Sequence, residues 1–231
     1  MAASCTVFWA APVAPRSAPG LVALLDEHER DRVARFRREA DAARYLAAHA
    51  LARIVVAAAL DTDPAALRID RTCRCGEPHG KPRLTSGEPL GFSLTHSGDL
   101  VGVALRTDGP VGLDVEQVRV LPDLAAMTAY IRSPDESESL DFFTAWVCKE
   151  AVLKATGTGL ATPMSALTLG PGPRLLRWDS EDAPDTPMWI RCLSPAPGYR
   201  AAVAGFGATA PDVTVTDGNA LLRAHRDSAA G

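Results

Sequence analysis

In the stretch Gly112-Leu113-Asp114-Val115-Glu116, strand alternation sends Leu113 and Val115 to one face and Asp114 and Glu116 to the other. Two carboxylates pointing the same way raise one another's pKa unless a metal, an arginine or a shared proton intervenes. With phosphate oxygens as co-ligands, the ion they suit is Mg²⁺, bound at about 2.0–2.1 Å with several waters retained. Taken alone, Asp-x-Glu equally describes a solvated strand edge. A second segment supplies context: Trp146, Glu150 and Lys154 recur at i, i+4 and i+8, one stripe of a helix. Phe142, Phe143, Val147, Val152 and Leu153 give that helix apolar cover. Glu150 can then serve a metal while Lys154 and the neighbouring Lys149 reach phosphate oxygens. The competing reading is a helical Glu150–Lys154 salt bridge, worth about 0.3–0.5 kcal/mol when exposed.

These groups need a scaffold. Leu21 to Leu60 reads as helix, charged as far as Glu39 and alanine-rich beyond it, and Asp61-Thr62-Asp63-Pro64 ends it. Residues 71–90, rich in Gly, Pro, Cys and charge, mark an irregular loop. Phe92–Leu94, Val101–Leu105 and Val111–Val115 read as strands, the first two joined by Thr95-His96-Ser97-Gly98-Asp99. A second helix spans Asp141 to Thr156 and stops at Gly157 and Gly159, and strand-like stretches follow near Leu167, at Trp189–Leu193 and at Arg200–Ala204. Helix followed by strands, twice, predicts an α+β protein of two comparable halves. The predicted divisions are 1–108, 109–215 and a flexible tail over 216–231, with small polar residues setting in after Gly207.

At 231 residues, 47% hydrophobic and 23% charged, the chain can bury a substantial core. A net charge of -4 and a pI near 5.7 provide no general basic field, so nucleic acid is not an expected partner and any anion site must be local. The first basic residue is Arg16, Pro12 and Pro15 interrupt the apolar start, and the longest apolar run is Ile54–Leu60. Neither a signal peptide nor a membrane span is expected. Five cysteines, an odd number, fit a reducing cytoplasm better than a disulfide framework.

In order, Gly80-Lys81-Pro82, Phe92-Ser93-Leu94-Thr95-His96-Ser97, Gly112-Leu113-Asp114-Val115-Glu116 and Trp146-Val147-Cys148-Lys149-Glu150-Ala151-Val152-Leu153-Lys154 resemble the motif series of 4′-phosphopantetheinyl transferases of the long, two-halved Sfp type. Arg32-Val33-Ala34-Arg35-Phe36, followed by Asp41 and Arg44, is similar to that family's N-terminal basic helix. The resemblance implies a pseudo-twofold α+β fold of two subdomains, each a small, mostly antiparallel sheet packed with helices, sufficient as a monomer. Coenzyme A and Mg²⁺ would lie in the cleft between them. It implies Asp114, Glu116 and Glu150 as metal ligands, Lys154 and Lys149 as diphosphate partners, and Lys81, His96 and Arg32 as contacts to the nucleotide end, with Ser93 and Thr95 beside it. The implied reaction moves phosphopantetheine to a serine of an apo acyl or peptidyl carrier protein and releases 3′,5′-adenosine bisphosphate. Glu150, directly or through a water on the metal, would take the serine proton.

Ser93 and Thr95 stand where many relatives carry Asn and Ser, which touches the detail of phosphate binding. Cys73-x-Cys75 with His79 looks like part of a zinc knuckle but lacks a fourth ligand, so the metal expected remains magnesium. Seven arginines lie between Glu27 and Arg53. Most are assigned to a solvated helix face, with Arg32 and then Arg35 as phosphate partners. Cys148 is read as a small packing residue. Two competing functions are a non-catalytic module that binds coenzyme A or a carrier, and a phosphoesterase that releases phosphopantetheine to water.

Overall fold

The computed structural model describes residues 4–227 apart from 74, 78–79, 138 and 173. The first half holds β1 (Ser4–Ala10), α1 (Pro19–Ala23), α2 (Glu27–Arg35), α3 (Glu39–Leu60), β2 (Ile69–Asp70), β3 (Arg83–Leu84), β4 (Gly91–Ser97) and β5 (Leu100–Arg106). The second holds β6 (Val111–Gln117), α4 (Leu124–Ile131), α5 (Phe142–Thr156), β7 (Leu167–Gly170), β8 (Arg174–Trp178), β9 (Met188–Leu193) and β10 (Tyr199–Phe206). The chain then returns to the first half through β11 (Asp212–Asp217) and α6 (Asn219–Arg226).

The helix expected over Leu21–Leu60 is three helices. Asp26 breaks it by capping α2: its side chain accepts from Glu29 N while Glu29 reaches back to Asp26 N, a reciprocal pair that favours a fresh helix start. Alanine-rich α3 is buried along most of its length. It is long and apolar enough to cross a membrane, and 72% of its most apolar window is buried inside this fold, as befits a core helix.

Two main sheets lie back to back. One is ordered β11-β1-β5-β4 and the other β6-β10-β9. Strand alternation sorts their side chains. Val7 and Trp9 of β1, Leu113 and Val115 of β6, and Ala201 and Val203 of β10 form the core between the sheets. Phe92, Val101 and Val103 face α3, and Ala202 and Ala204 face α5. The layers thus run helix, sheet, sheet, helix, as a two-halved α+β fold requires.

The tail expected to fray is structured over 212–226. β11 pairs in parallel with β1, Ser4 opposite Asp212 through Trp9 opposite Asp217, and Leu222 of α6 is buried against the first core. Backbone pairing with an edge strand and the buried Leu222 hold the segment, whose local signals are the alternation Val213-Thr214-Val215-Thr216 and the amphipathic stretch Asn219–Arg226. Residues 212–215 therefore belong with the first sheet and not with the second half.

Candidate active site

Where the sheets adjoin, β6 has two different neighbours. Along one edge it forms a regular antiparallel ladder with β10. Along the other, its N–H groups are met by side chains of β4: Leu113 N donates to Ser93 Oγ (3.0 Å), Val115 N to Thr95 Oγ1 (3.3 Å) and Gln117 N to Ser97 Oγ (3.1 Å). Alternation makes this possible, since Ser93, Thr95 and Ser97 share one face of β4. All three are buried, which leaves backbone donors that must find partners. Ser93 and Thr95, expected beside the nucleotide, thus have their hydroxyls engaged in joining the halves.

The same alternation turns Gly112, Asp114 and Glu116 of β6 toward α5. A Cβ on Gly112 would stand 1.9 Å from Ala151 O, so only glycine lets the helix approach this closely. Asp141 caps α5 by accepting from Thr144 N, and Gly157, at φ 80°, ends it. Close packing brings Lys154 to β6: its Nζ donates to Asp114 Oδ1 (2.7 Å), Leu113 O (3.1 Å) and Thr95 Oγ1 (3.4 Å). Among the described residues, Lys154 pairs with Asp114 and forms no ion pair with Glu150.

Asp114 Oδ1 also accepts from Thr95 Oγ1 (3.1 Å), but Asp114 Oδ2 is buried with no hydrogen-bond partner. Burial raises the Asp114 pKa against the opposing pull of Lys154 and Thr95. Burial likewise raises Glu116, whose carboxylate accepts from Ser97 Oγ (2.8 Å) and which Asp114 pushes further up. Glu150 is raised by burial, lowered by Lys154, and raised again by Asp114 and Glu116. The three acids therefore share one electrostatic field. An orphaned buried carboxylate oxygen among mutually repelling acids fits a hard cation. Among the described residues no three such side chains form a ready-made cage.

A cleft of about 960 Å³ is lined by Glu150, Lys154 and Lys81 together with Asp31, Arg32, Arg35 and Tyr45; Asp114 and Glu116 lie behind Lys154 and are not among its lining residues. Arg32 is exposed, its guanidinium 5.5 Å from the centre of the Phe36 ring. Lys81 donates to Val111 O (3.0 Å) and Ala155 O (2.8 Å), and burial first, then Arg83, lower its pKa to about 7. His96 is exposed on β4, with its pKa lowered by desolvation and by Lys154 and Arg44. Cys73 lines the cleft, while its expected companion His79 lies outside the described residues.

Lys149 is a correction. It is fully buried, and its Nζ donates to Ile131 O (2.6 Å) and Glu136 Oε2 (2.9 Å). Glu136 in turn accepts from Leu169 N (2.8 Å). Five residues of α-helix turn Lys149 about 140° from Lys154, so it points into the second core and away from the cleft.

Sequence reasoning also missed a buried ionic hub, two of whose members, His49 and Arg71, line the cleft. Glu29 accepts from His49 Nδ1 (2.9 Å), Arg53 Nε (2.6 Å) and Arg71, and Arg53 is 0% exposed rather than on a solvated face. Burial alone would raise the Glu29 pKa; the His49 hydrogen bond and the charges of His49, Arg53 and Arg71 lower it to about 2. Burial lowers the His49 pKa, against the opposing pull of its hydrogen bond to Glu29 and the Glu29 charge. Tyr45 stacks on His49 with ring centres 3.9 Å apart. The Asp26-x-x-Glu29 capping pair was the available signal, though it shows only half of the role of Glu29.

A two-halved α+β protein whose cleft is lined by Arg32 and Lys81 of the first half and by Glu150 and Lys154 of the second is the class that fold and site define. Residues 14–108 match the family model described as 4′-phosphopantetheinyl transferase, N-terminal, and residues 110–183 match that of the 4′-phosphopantetheinyl transferase superfamily. A phosphopantetheinyl transferase of Thraustochytrium sp. is 31% identical, the match covering 79% of this chain and 73% of the relative. The 4′-phosphopantetheinyl transferase psf-1 of Bacillus pumilus is 31% identical over 73% of both chains. Sfp of Bacillus subtilis is 25% identical over 91% of this chain and 96% of its own. The chain belongs to the 4′-phosphopantetheinyl transferase family.

Proposed function

We propose that the chain transfers the 4′-phosphopantetheine arm of coenzyme A to a serine hydroxyl of an apo acyl or peptidyl carrier protein, with Mg²⁺ as cofactor and 3′,5′-adenosine bisphosphate as product. The observation that carries this reading is Asp114: one carboxylate oxygen holds Lys154, which lines the cleft, and the other is buried without a partner. Asp114, Glu116 and Glu150 would hold the ion. When bound, Mg²⁺ supplies positive charge to the diphosphate oxygens.

The chain's own groups do the rest. Arg32 and His96 take the nucleotide end and its phosphate, with Lys81 at the wall between the halves. The serine oxygen attacks the β-phosphorus, and the bond from that phosphorus to the bridging oxygen of the adenosine bisphosphate breaks. Glu150 accepts the serine proton, a task favoured by a carboxylate pKa raised through burial. Lys154, partly exposed on its cleft side, stabilises the charge that develops. Val118, Val120 and Leu124, exposed just past Glu116, together with Arg119 offer an acidic carrier an apolar and basic landing strip.

The test is the mass of a purified apo carrier after incubation with the protein, coenzyme A and Mg²⁺. A gain of one phosphopantetheine is expected. It should fall by about 10²–10⁴-fold in Glu150→Gln, the span for losing a positioned base, and disappear with chelator. No gain on several acyl and peptidyl carriers, despite measured coenzyme A binding, would favour a binding module instead.

A further inference from the structure

Two thiols remote in sequence meet on the side of the second sheet that faces α5. Cys148 on α5 is 0% exposed, and its Sγ lies 3.5 Å from Sγ of Cys192 on β9. Cys192 is exposed, and β9 is the edge strand of its sheet. Across that sheet Cys192 stands opposite Ala202, and Ala202 stands opposite Asp114. Thiol, alanine and carboxylate therefore form one row on the same face, and Cys148 sits two residues before Glu150.

We propose that Cys148 and Cys192 are a dithiol that low-molecular-weight disulfides oxidise to an intramolecular bridge, and that the bridge lowers transfer; this second part rests on the function proposed above. The exposed sulfur reacts first. Cys192, as thiolate, attacks one sulfur of RS–SR, the S–S bond breaks, and RS⁻ leaves and takes up the proton that Cys192 gave. Cys148 then loses its proton and attacks Cys192 Sγ, expelling the second RS⁻, which that proton neutralises. Two protein thiols are oxidised to one disulfide and RSSR is reduced to two RSH. Burial keeps Cys148 from meeting the reagent directly, so it acts as the resolving thiol.

Contact at 3.5 Å must shorten to about 2.05 Å for the bond. The helix has no slack toward β6, since Ala151 O already occupies the space of any Cβ on Gly112. Closure therefore draws the edge strand and α5 together, and the strain falls on the turn that carries Glu150.

The reduced protein would be treated with the disulfide of coenzyme A or of glutathione, digested without reduction and mapped by mass, with transfer assayed before and after dithiothreitol. The expected result is a peptide pair joined through Cys148 and Cys192, a Tm higher by several degrees, and a fall in transfer of about tenfold or more that dithiothreitol reverses. Cys192→Ser should keep its reduced-state activity and lose the sensitivity. A persistent mixed disulfide on Cys192 with no 148–192 pair would overturn the bridge. A bridged protein as active as the reduced one would overturn its coupling to transfer. If the reduced protein transfers nothing, the functional reading fails, while the joined peptide and the Tm still decide the bridge.

Discussion

Two buried carboxylates, Glu29 in the first half and Asp114 in the second, have received opposite treatment. Glu29 has a surplus of donors: His49, Arg53, Arg71 and the Asp26 N–H all reach it, and its pKa is lowered to about 2. Asp114 has one ammonium and one hydroxyl on a single oxygen and nothing on the other, and its pKa is raised. The lysines of α5 repeat the contrast. Lys149 is enclosed with Glu136, while Lys154 keeps part of its side chain open to the cleft. A buried charge fully matched within the protein has a structural role; one left short of partners is prepared for something that arrives later.

The strongest way to break this comparison is to remove each lysine. Lys154→Met should lower kcat/KM for carrier modification by about 10²–10³-fold, the scale for losing one charge-stabilising donor, and should also cost stability, since buried Asp114 loses its ammonium. Lys149→Met should cost stability alone: it falls by about 3–5 kcal/mol because Glu136 is left buried and unpaired, and the folded fraction keeps its transfer rate. Two lysines with the same phenotype would refute the division of roles.

Next in size is Glu29→Gln. With the carboxylate gone, Arg53 and Arg71 keep charges that lack their main partner, and urea denaturation should show a loss of about 3–5 kcal/mol. A loss below about 1 kcal/mol would mean that the hub is not a structural centre. The same residue sets a pH dependence. Because its folded pKa lies below the ordinary 4.5, at about 2, its stabilisation is present above pH 4.5 and is lost as pH falls through the window toward 2. Wild-type stability should drop across that window more steeply than that of Glu29→Gln, and parallel curves would contradict the assignment.

The smallest expected effect is Ser97→Ala. Its hydroxyl bridges Glu116 and Gln117 N, so its loss should reduce transfer by a fewfold and cost about 1 kcal/mol of stability. Ser93→Ala, two rungs further along the same join, should match the stability loss and leave the Mg²⁺ concentration needed for half-maximal rate unchanged.

Much of this was legible in the chain. Period-2 alternation located the strands around Phe92, Val101 and Val111, and period-3.6 spacing with a glycine stop located α5. Alternation also placed Asp114 and Glu116 on one face, and helical spacing placed Glu150 and Lys154 together. Local pattern could not show that Ser93 and Thr95 turn toward β6, since alternation separates them from Phe92 and Leu94 but does not name the strand that their face meets. Nor could it show that β11 crosses back to β1, because the polar stretch 212–217 acquires its partner only from the other end of the chain.

The sequence by itself determined which residue types recur at which spacing, and hence the elements, the motif order and the face each acid occupies, because these follow from helix and strand geometry. Tertiary structure alone decided which charges are satisfied from within. Lys149, Arg53 and Glu29 look like surface residues in the chain, yet each is closed off by partners brought from distant segments. Asp114 keeps one oxygen unmatched because the close approach of α5 at Gly112 excludes water while supplying a single lysine.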